Sequence, residues 1–162
     1  MPITLNGDGS ITGGTFNRPA FRVLLTSTQN INHNSVTTIQ FNTEDFDTNN
    51  CFDTSNYRFT PNVAGYYYVF ANATLSTSSR PNLEDGELFI RKNGTTIARS
   101  EIDPRDDGEM GAVSNQIAVL VQMNGSSDYL DVAAKVNKQS SSGEIEGGTT
   151  GLTYFQAFKL AI

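Results

Sequence analysis

The densest group of ionisable side chains lies in one short stretch of the chain. Five carboxylates fall within nine residues around a single glycine: Glu101, Asp103, Asp106, Asp107 and Glu109. Calcium takes roughly six to eight oxygen ligands, so a turn of this composition could hold a calcium ion. The spacing is not that of an EF-hand loop, and the sequence favours a solvated, self-repelling loop. We predict no cofactor and leave calcium open.

A nucleophile with a general base is the second kind of chemistry that the residue types allow. The sequence contains one histidine, His33, and one cysteine, Cys51. A catalytic arrangement would need the fold to bring them together with a carboxylate, and nothing in their spacing does so. A lone cysteine is more often a small buried side chain than a nucleophile. We therefore predict a protein that is not an enzyme.

Composition indicates the elements that position these residues and excludes several classes of partner. The 162 residues include 18 Thr, 14 Ser and 16 Asn, which favour strands and turns over helices. The net charge is −6 and the chain has no basic cluster, so we predict no nucleic-acid partner. The longest apolar runs, Tyr66–Ala71 and Ile117–Val121, are much shorter than the ~20 residues of a membrane span, so we predict no membrane insertion.

Apolar alternation predicts an all-β domain over residues 18–162, preceded by a glycine-rich extended arm over residues 1–17. Asn93-Gly94 predicts a tight hairpin, Asn124-Gly125 predicts a second turn of the same kind, and Lys138–Gly148 reads as an exposed loop. The predicted strands are Phe21–Thr26, Val36–Phe41, Tyr57–Thr60, Gly65–Leu75, Glu87–Lys92, Thr96–Glu101, Val113–Met123, Asp128–Val136 and Gly151–Leu160.

The strand Gly65–Leu75 is apolar on both faces. One face carries Tyr67, Val69 and Ala71, and the other carries Tyr66, Tyr68 and Phe70. A strand of this kind must be covered twice, because a surface strand normally leaves one face to solvent. One cover can be the core of a β-sandwich, and a second subunit is the candidate for the other. The alternative is that the tyrosine hydroxyls reach solvent at a rim.

A spaced set of residues around this strand resembles a family signature. Phe41, Asp47, Phe52, Phe59, Gly65 and Tyr67 match six of the eight positions in the signature of the globular head of complement component 1q. The last two aromatic positions are Val69 and Ala71 here. Three further segments resemble the opening strand, a hairpin and the closing strand of that head: Arg18–Phe21, Arg91–Gly94 and Tyr154–Phe158.

The resemblance implies a fold and an assembly. It implies a jelly-roll β-sandwich of two antiparallel sheets, the fold that this family shares with tumour necrosis factor, and a homotrimer about a threefold axis. On this basis we expect the trimer interface and its core strand at Tyr66, Tyr67, Tyr68, Val69 and Phe70, and the family core at Phe41, Asp47, Phe52, Phe59 and Gly65.

The first thirteen residues carry a second resemblance. They are similar to the opening of virion structural and fibre proteins of phages that infect cyanobacteria. This resemblance implies that the arm attaches the domain to other virion proteins, through Ile3, Leu5, Ile11 and Phe16. The chain shows neither a secretory leader nor a collagen-like stalk, which also favours a virion protein over a secreted one.

Together, the two resemblances imply a trimeric bacteriophage virion surface protein. It would serve as a capsid decoration or as a tail-fibre or receptor-binding tip that contacts a host surface glycan or protein. The alternative is a secreted recognition protein of the complement 1q type, acting as a lectin or a ligand. Exposure suggests three binding loops: Glu44–Asn50, Asp103–Gly111 and Gln139–Thr150.

Overall fold

All regular structure in the described residues is β-strand. The computed structural model describes residues 4–5, 7–8, 11–12, 18–79, 82–103, 110–139 and 141–161. Within these ranges no helix is long and apolar enough to cross a membrane. The strands are β1 (Thr4–Leu5), β2 (Ile11–Thr12), β3 (Ala20–Leu24), β4 (Gln29–Ile31), β5 (Thr37–Thr38), β6 (Thr43–Asp47), β7 (Phe52–Asp53), β8 (Arg58–Phe59), β9 (Gly65–Thr77), β10 (Leu83–Lys92), β11 (Thr95–Ile102), β12 (Ala112–Met123), β13 (Leu130–Lys138), β14 (Gly143–Ile145) and β15 (Tyr154–Lys159).

The domain strands form two antiparallel sheets, as the family resemblance implies. In the seven-stranded sheet β9 pairs with β12 on one side and with β15 and β14 on the other; β15 continues to β3 and β6, and β14 to β4. The six-stranded sheet runs β11, β10, β13, β8 and β7, with β5 also on β13. Strands β1 and β2 form a separate hairpin in which Leu5 pairs with Ile11.

The core lies between the two sheets. Alternation places it there: along β12, Val113, Ile117 and Val121 are buried, while Ser114, Gln116, Ala118 and Leu120 on the other face are exposed. Five buried phenylalanines from both sheets form its centre, with ring centroids between 4.4 and 6.4 Å apart: Phe21, Phe41, Phe52, Phe59 and Phe155. Burial of each of these side chains stabilises the fold by about 1.5–3 kcal/mol.

The Asn93-Gly94 hairpin is confirmed. It joins β10 to β11, and the two residues have φ of 52° and 79°, as a type I′ turn requires.

The same prediction for Asn124-Gly125 is wrong. The strands on either side, β12 and β13, belong to different sheets, so the segment crosses the sandwich instead of turning a hairpin. The Oδ1 atom of Asn124 shapes this crossing by accepting hydrogen bonds from the backbone N–H groups of Ser126, Ser127 and Asp128, each at 3.0 Å. The local Asn side chain therefore replaces the turn bond of a hairpin.

The prediction that Lys138–Gly148 is an exposed loop is also wrong for the middle of this segment. Strand β14, Gly143–Ile145, lies there between β4 and β9, and Ile145 is fully buried. Gly143 is buried as well. A Cβ at this position would come within 3.1 Å of Val136 and 3.2 Å of Ile31, so the strand packs closely here because the residue is a glycine. A strand that packs through a glycine and a single isoleucine carries almost no apolar signal.

The predicted strand Val36–Phe41 shrinks to Thr37–Thr38. Beyond it a side-chain amide replaces the strand partner: Nε2 of Gln29 donates to the Thr38 carbonyl at 3.0 Å, and the Gln40 N–H donates to Oε1 of Gln29 at 2.9 Å. Within the domain, strands β4, β6, β7 and β14 were not predicted; of these, β6 occupies Thr43–Asp47, which overlaps the first of the predicted binding loops.

Candidate functional site

The central strand β9 divides its side chains between the core and an open surface. Tyr67 and Val69 are fully buried in the core. Tyr66, Tyr68 and Phe70 point to the opposite side of the seven-stranded sheet, where Tyr66 remains 43% exposed. The five residues predicted for the interface therefore separate into a buried pair and an outward-facing trio. The prediction that both faces of this strand are apolar is confirmed.

Neighbouring strands extend the outward trio into a continuous apolar patch. In the sheet register Leu120 of β12 lies opposite Tyr68, and Phe158 of β15 lies opposite Tyr68 on the other side. The Tyr68 and Phe158 rings are 5.5 Å apart. Leu120 is 61% exposed and Phe158 is 47% exposed. We call this surface the aromatic face; its residues are Tyr66, Tyr68, Phe70, Leu120 and Phe158.

A loop of the same chain covers the other end of this side of the sheet. Nδ2 of Asn72 donates to the Leu152 carbonyl at 2.6 Å, and Oγ1 of Thr74 donates to the same carbonyl at 3.3 Å. Asn72 and Thr74 are consequently buried although they share the side of Tyr68. Nothing in the described part of the chain covers the aromatic face in this way.

Polar contacts border the aromatic face on the β3 side. The Arg22 guanidinium lies 4.9 Å from the centroid of the Tyr154 ring, and its Nη1 donates to Oδ2 of Asp45 at 2.7 Å. An apolar centre with a polar, solvent-accessible border is the usual anatomy of a protein interface.

Sequence reasoning did not identify Leu120 and Phe158 as members of this face. A signal was available for each. The outward positions of β12 are otherwise small or polar, so Leu120 stands out among them, and Phe158 ends the outward series Tyr154, Gln156, Phe158. Joining these two signals to Tyr68 needed the strand order, which the sequence does not show.

The residues of the family signature build the core and its turns. Phe41, Phe52 and Phe59 are buried among the core phenylalanines. The Asp47 carboxylate accepts the Asn49 N–H at 3.1 Å and the Phe52 N–H at 2.7 Å, which fixes the turn into β7. These residues therefore act in packing and in backbone hydrogen bonding, which position the strands.

Gly65 allows β9 to begin against β15. Its φ is 147°, and a Cβ at this position would lie 2.7 Å from Cε of Lys159. A side chain here would push Lys159 away from the start of the central strand.

Tyr67 and Cys51 show how burial changes ionisable groups in the core. The Tyr67 hydroxyl donates to the Val63 carbonyl at 2.7 Å. Burial, with a smaller contribution from Cys51, raises the pKa of Tyr67 to about 12. Burial also raises the pKa of the Cys51 thiol. A thiol whose pKa is raised is a poor nucleophile at neutral pH.

The structure does not combine Cys51 and His33 into a site. Cys51 is buried in the core, whereas His33 lies exposed in the turn after β4. No hydrogen bond joins their side chains among the contacts of the described residues. The small buried side chain expected for Cys51 is confirmed.

The acidic stretch that could hold calcium lies partly outside the described residues, which exclude Asp106, Asp107 and Glu109. Another group of carboxylates does converge on the six-stranded sheet: oxygens of Asp85, Glu87 and Glu101 lie within 4.8 Å of one another. Glu87 is buried and already engaged, since Lys135 and Arg99 both form ion pairs with it. Arg99 also pairs with Glu101 at 2.8 Å.

These two cations control the ionisation of Glu87. Burial alone would raise the pKa of Glu87, but the hydrogen bonds and charges of Lys135 and Arg99 hold it below its ordinary value of 4.5. The cluster is therefore a structural ion-pair network, and we assign no metal to it.

Of the arm residues predicted for attachment, Ile3 and Phe16 lie outside the described residues. Leu5 and Ile11 pair in the β1–β2 hairpin. The attachment role of the arm stays a prediction.

Comparison with solved structures identifies the fold. The globular domain of zebrafish complement 1qA superposes with a TM-score of 0.61 at 16% identity, covering 90% of this chain and 98% of that one. Murine APRIL, in its structure at pH 5.0, superposes with a TM-score of 0.63 at 13% identity, covering 89% of this chain and 100% of that one. Eiger TNF from S. frugiperda superposes with a TM-score of 0.63 at 10% identity, covering 89% of this chain and 92% of that one. No family model and no curated protein sequence matches the chain.

The chain therefore adopts the jelly-roll fold seen in tumour necrosis factor-like proteins and the complement 1q head. The fold implied by the six matched signature positions is confirmed. At these levels of identity the likeness extends to the fold and not to the activity.

Proposed function

We propose that this protein is a non-catalytic binding module that acts as a homotrimer, in which each copy buries its aromatic face against the others. The observation that carries the proposal is the uncovered apolar patch around Tyr68 on the seven-stranded sheet. A patch of this kind on a small domain is a typical interaction surface. A second copy of the chain is the occupant that the family resemblance implies.

The proposal assigns a different role to each of the two sheets. The seven-stranded sheet carries the exposed aromatic and aliphatic side chains that association would bury. The six-stranded sheet carries the ion-pair network around Glu87 and stays available to solvent and ligands. A trimer displays three copies of that second sheet, and weak contacts made by each copy then add through multivalency.

The virion assignment is the second part of the proposal. We place the protein on the surface of a bacteriophage particle, as a capsid decoration or a fibre tip, with the arm over residues 1–17 as its attachment. The support is the similarity of the first thirteen residues to virion structural proteins. The short β1–β2 hairpin gives this segment a pairing of its own, separate from both domain sheets.

Particle attachment is tested by co-sedimentation with virions purified from the lysate that contains the protein. The full chain should sediment with particles depleted of the native protein, and residues 18–162 alone should stay in the supernatant while keeping their oligomeric mass. Sedimentation of the shortened chain with the particles would show that the arm is not needed for attachment. A full chain found only in the supernatant would contradict the virion assignment and favour the secreted alternative.

A further inference from the structure

A groove begins on the six-stranded sheet and continues to β4, which belongs to the seven-stranded sheet, and to the segment before it. Its larger chamber has a volume of about 610 Å³ and lies between the turn that joins β7 to β8, the Thr37–Thr38 strand and the β10–β11 hairpin. This volume falls in the range of small-molecule sites, roughly 300–1,000 Å³. Its polar lining includes Arg58, Arg91, Tyr129 and Asp131.

The two arginines of this chamber differ in how they are engaged. Nε of Arg91 is 2.6 Å from Oδ1 of Asp131, and its Nη2 donates to Oγ1 of Thr38 at 2.7 Å. Arg58 instead lies over the Tyr129 ring, with its Cζ 3.9 Å from the centroid. Across the described ranges no carboxylate forms an ion pair with Arg58.

The charged residues of the lining are Arg58, Arg91 and Asp131, so the lining carries a net charge of +1. Asp53 lies opposite Arg58 in the strand pairing, but its carboxylate accepts hydrogen bonds from Ser55 and Asn56. A guanidinium that stacks through its flat surface keeps its N–H edge available. That edge matches the two oxygens of a carboxylate, which it can bind through two parallel hydrogen bonds. The chamber is thus prepared for an anionic group.

A second chamber of about 390 Å³ continues the groove and shares Gln40 and Tyr57 with the first. It is lined by hydroxyl and amide side chains and one leucine, with no charged residue among its lining: Leu25, Ser27, Thr28, Gln29, Asn30 and Asn42. Hydroxyls and amides both donate and accept hydrogen bonds, which suits a neutral ligand rich in hydroxyl groups.

The wall between the two chambers is fixed before any ligand binds. The Gln29 side chain bridges the Thr38 carbonyl and the Gln40 N–H, so the segment that carries Gln40 is held in place. Tyr57 sits opposite with a φ of 61°, and its N–H donates to the Asp53 carbonyl at 2.7 Å. A preformed wall lowers the entropy lost on binding.

We propose that this groove binds an acidic saccharide, with the carboxylate of the sugar on Arg58 and the neutral rings in the hydroxyl- and amide-lined chamber. A peptide is less suited to it, because the second chamber offers a single apolar side chain, Leu25. The assignment deepens the proposed binding role and rests on it. It does not depend on the trimer, since every lining residue belongs to one protomer.

The test is calorimetric titration of the full chain with three carboxylated saccharides: glucuronate, digalacturonate and N-acetylneuraminate. The methyl ester of each serves as the neutral analogue, and acetate and sulfate serve as anions without a sugar. At least one acid should bind with a Kd below about 10 mM, and its ester should bind about 10- to 100-fold more weakly because the charge-assisted bonds are lost. Absence of binding by all three acids would overturn the proposal, as would equal binding by the esters.

Two variants and a matched control locate the site. Arg58→Gln should weaken binding of the acid about 10- to 100-fold and leave the affinity for its ester unchanged. Gln40→Ala, at an exposed position, should weaken both ligands by about threefold. Arg22→Gln removes an arginine that likewise lies over a tyrosine ring, on the seven-stranded sheet, and should change neither affinity. Undiminished binding by Arg58→Gln would overturn the assignment.

Two further outcomes separate the saccharide from other ligands and from the trimer. If acetate or sulfate binds as tightly as the best sugar acid, the groove is a general anion site and the saccharide assignment is wrong. A variant that dissociates the trimer, Leu120→Glu, should keep the affinity of each protomer for the sugar acid. Loss of sugar binding in that variant would contradict a groove contained within one protomer.

Discussion

Leu120→Glu should dissociate the oligomer without unfolding the protomer. Leu120 lies on β12 opposite Tyr68 and is 61% exposed in a single chain. Because most of its side chain already faces solvent, glutamate adds no buried charge to the protomer core. In the proposed trimer the same position would be buried three times.

The magnitude follows from the area that association would bury. Complete burial of a leucine side chain stabilises by about 1.5–3 kcal/mol, and roughly three-fifths of that remains to be gained at Leu120. Three copies therefore contribute about 3–5 kcal/mol to the trimer, and removal of the side chain in Leu120→Ala should weaken assembly by about 10²- to 4 × 10³-fold. Three unpaired carboxylates in Leu120→Glu add a desolvation cost of several kcal/mol each, so no trimer should form at micromolar concentration.

The assay is light scattering behind size exclusion, with far-ultraviolet circular dichroism to confirm the β-sheet fold. Ile97→Glu is the matched control, because Ile97 is an exposed aliphatic residue on β11 of the other sheet, with 38% of its surface accessible. The control should keep the mass of the unsubstituted protein. A Leu120→Glu protein with the same mass as the control would refute the assignment of the aromatic face to the interface.

Three further substitutions test individual contacts that stabilise the protomer. Glu87→Gln should lower the free energy of unfolding at pH 7 by about 1–3 kcal/mol. Because the pKa of Glu87 is held below 4.5, the difference between the two proteins should be complete above pH 4.5 and should vanish as the pH falls through the lowered pKa. Urea unfolding at several pH values would measure this difference. Tyr67→Phe should cost about 0.5–1.5 kcal/mol through the lost hydrogen bond to Val63, and an absorbance titration should lose the phenol that ionises near pH 12. Gly125→Ala should cost about 2–4 kcal/mol, since a Cβ would lie 2.2 Å from the Ala64 nitrogen at a φ of 73°, and an unchanged melting temperature would contradict this geometry.

The parts of the fold that the sequence predicts are those with short-range signals. Asn93-Gly94 defines its own turn through two positive φ values. The period-two alternation along β9 predicts that Tyr67 and Tyr68 lie on opposite faces, as the structure has them, but not which of the two faces the core. The family signature adds the fold because its phenylalanines mark core positions at fixed intervals.

The parts that the sequence does not predict depend on contacts between distant residues. Gly143 and Ile145 form a strand only because β4 and β9 lie on either side of it. Asn124-Gly125 has the composition of a hairpin turn, but the strands that follow and precede it pair with other partners.

The same limit applies to the candidate sites. The aromatic face joins residues 38 positions apart, Leu120 and Phe158, through their common neighbour Tyr68. The saccharide groove depends on the stacking of Arg58 on Tyr129, which the chain separates by 71 positions. Neither pair has a local pattern from which it could be predicted.

The mass of the unsubstituted protein in solution tests the central claim most directly. Light scattering at two concentrations, with and without a chelator, measures the mass independently of molecular shape. The account predicts three times the chain mass of 17.6 kDa at both concentrations, unchanged by the chelator. A mass of 17.6 kDa would contradict it, because the aromatic face would then remain uncovered in the functional protein.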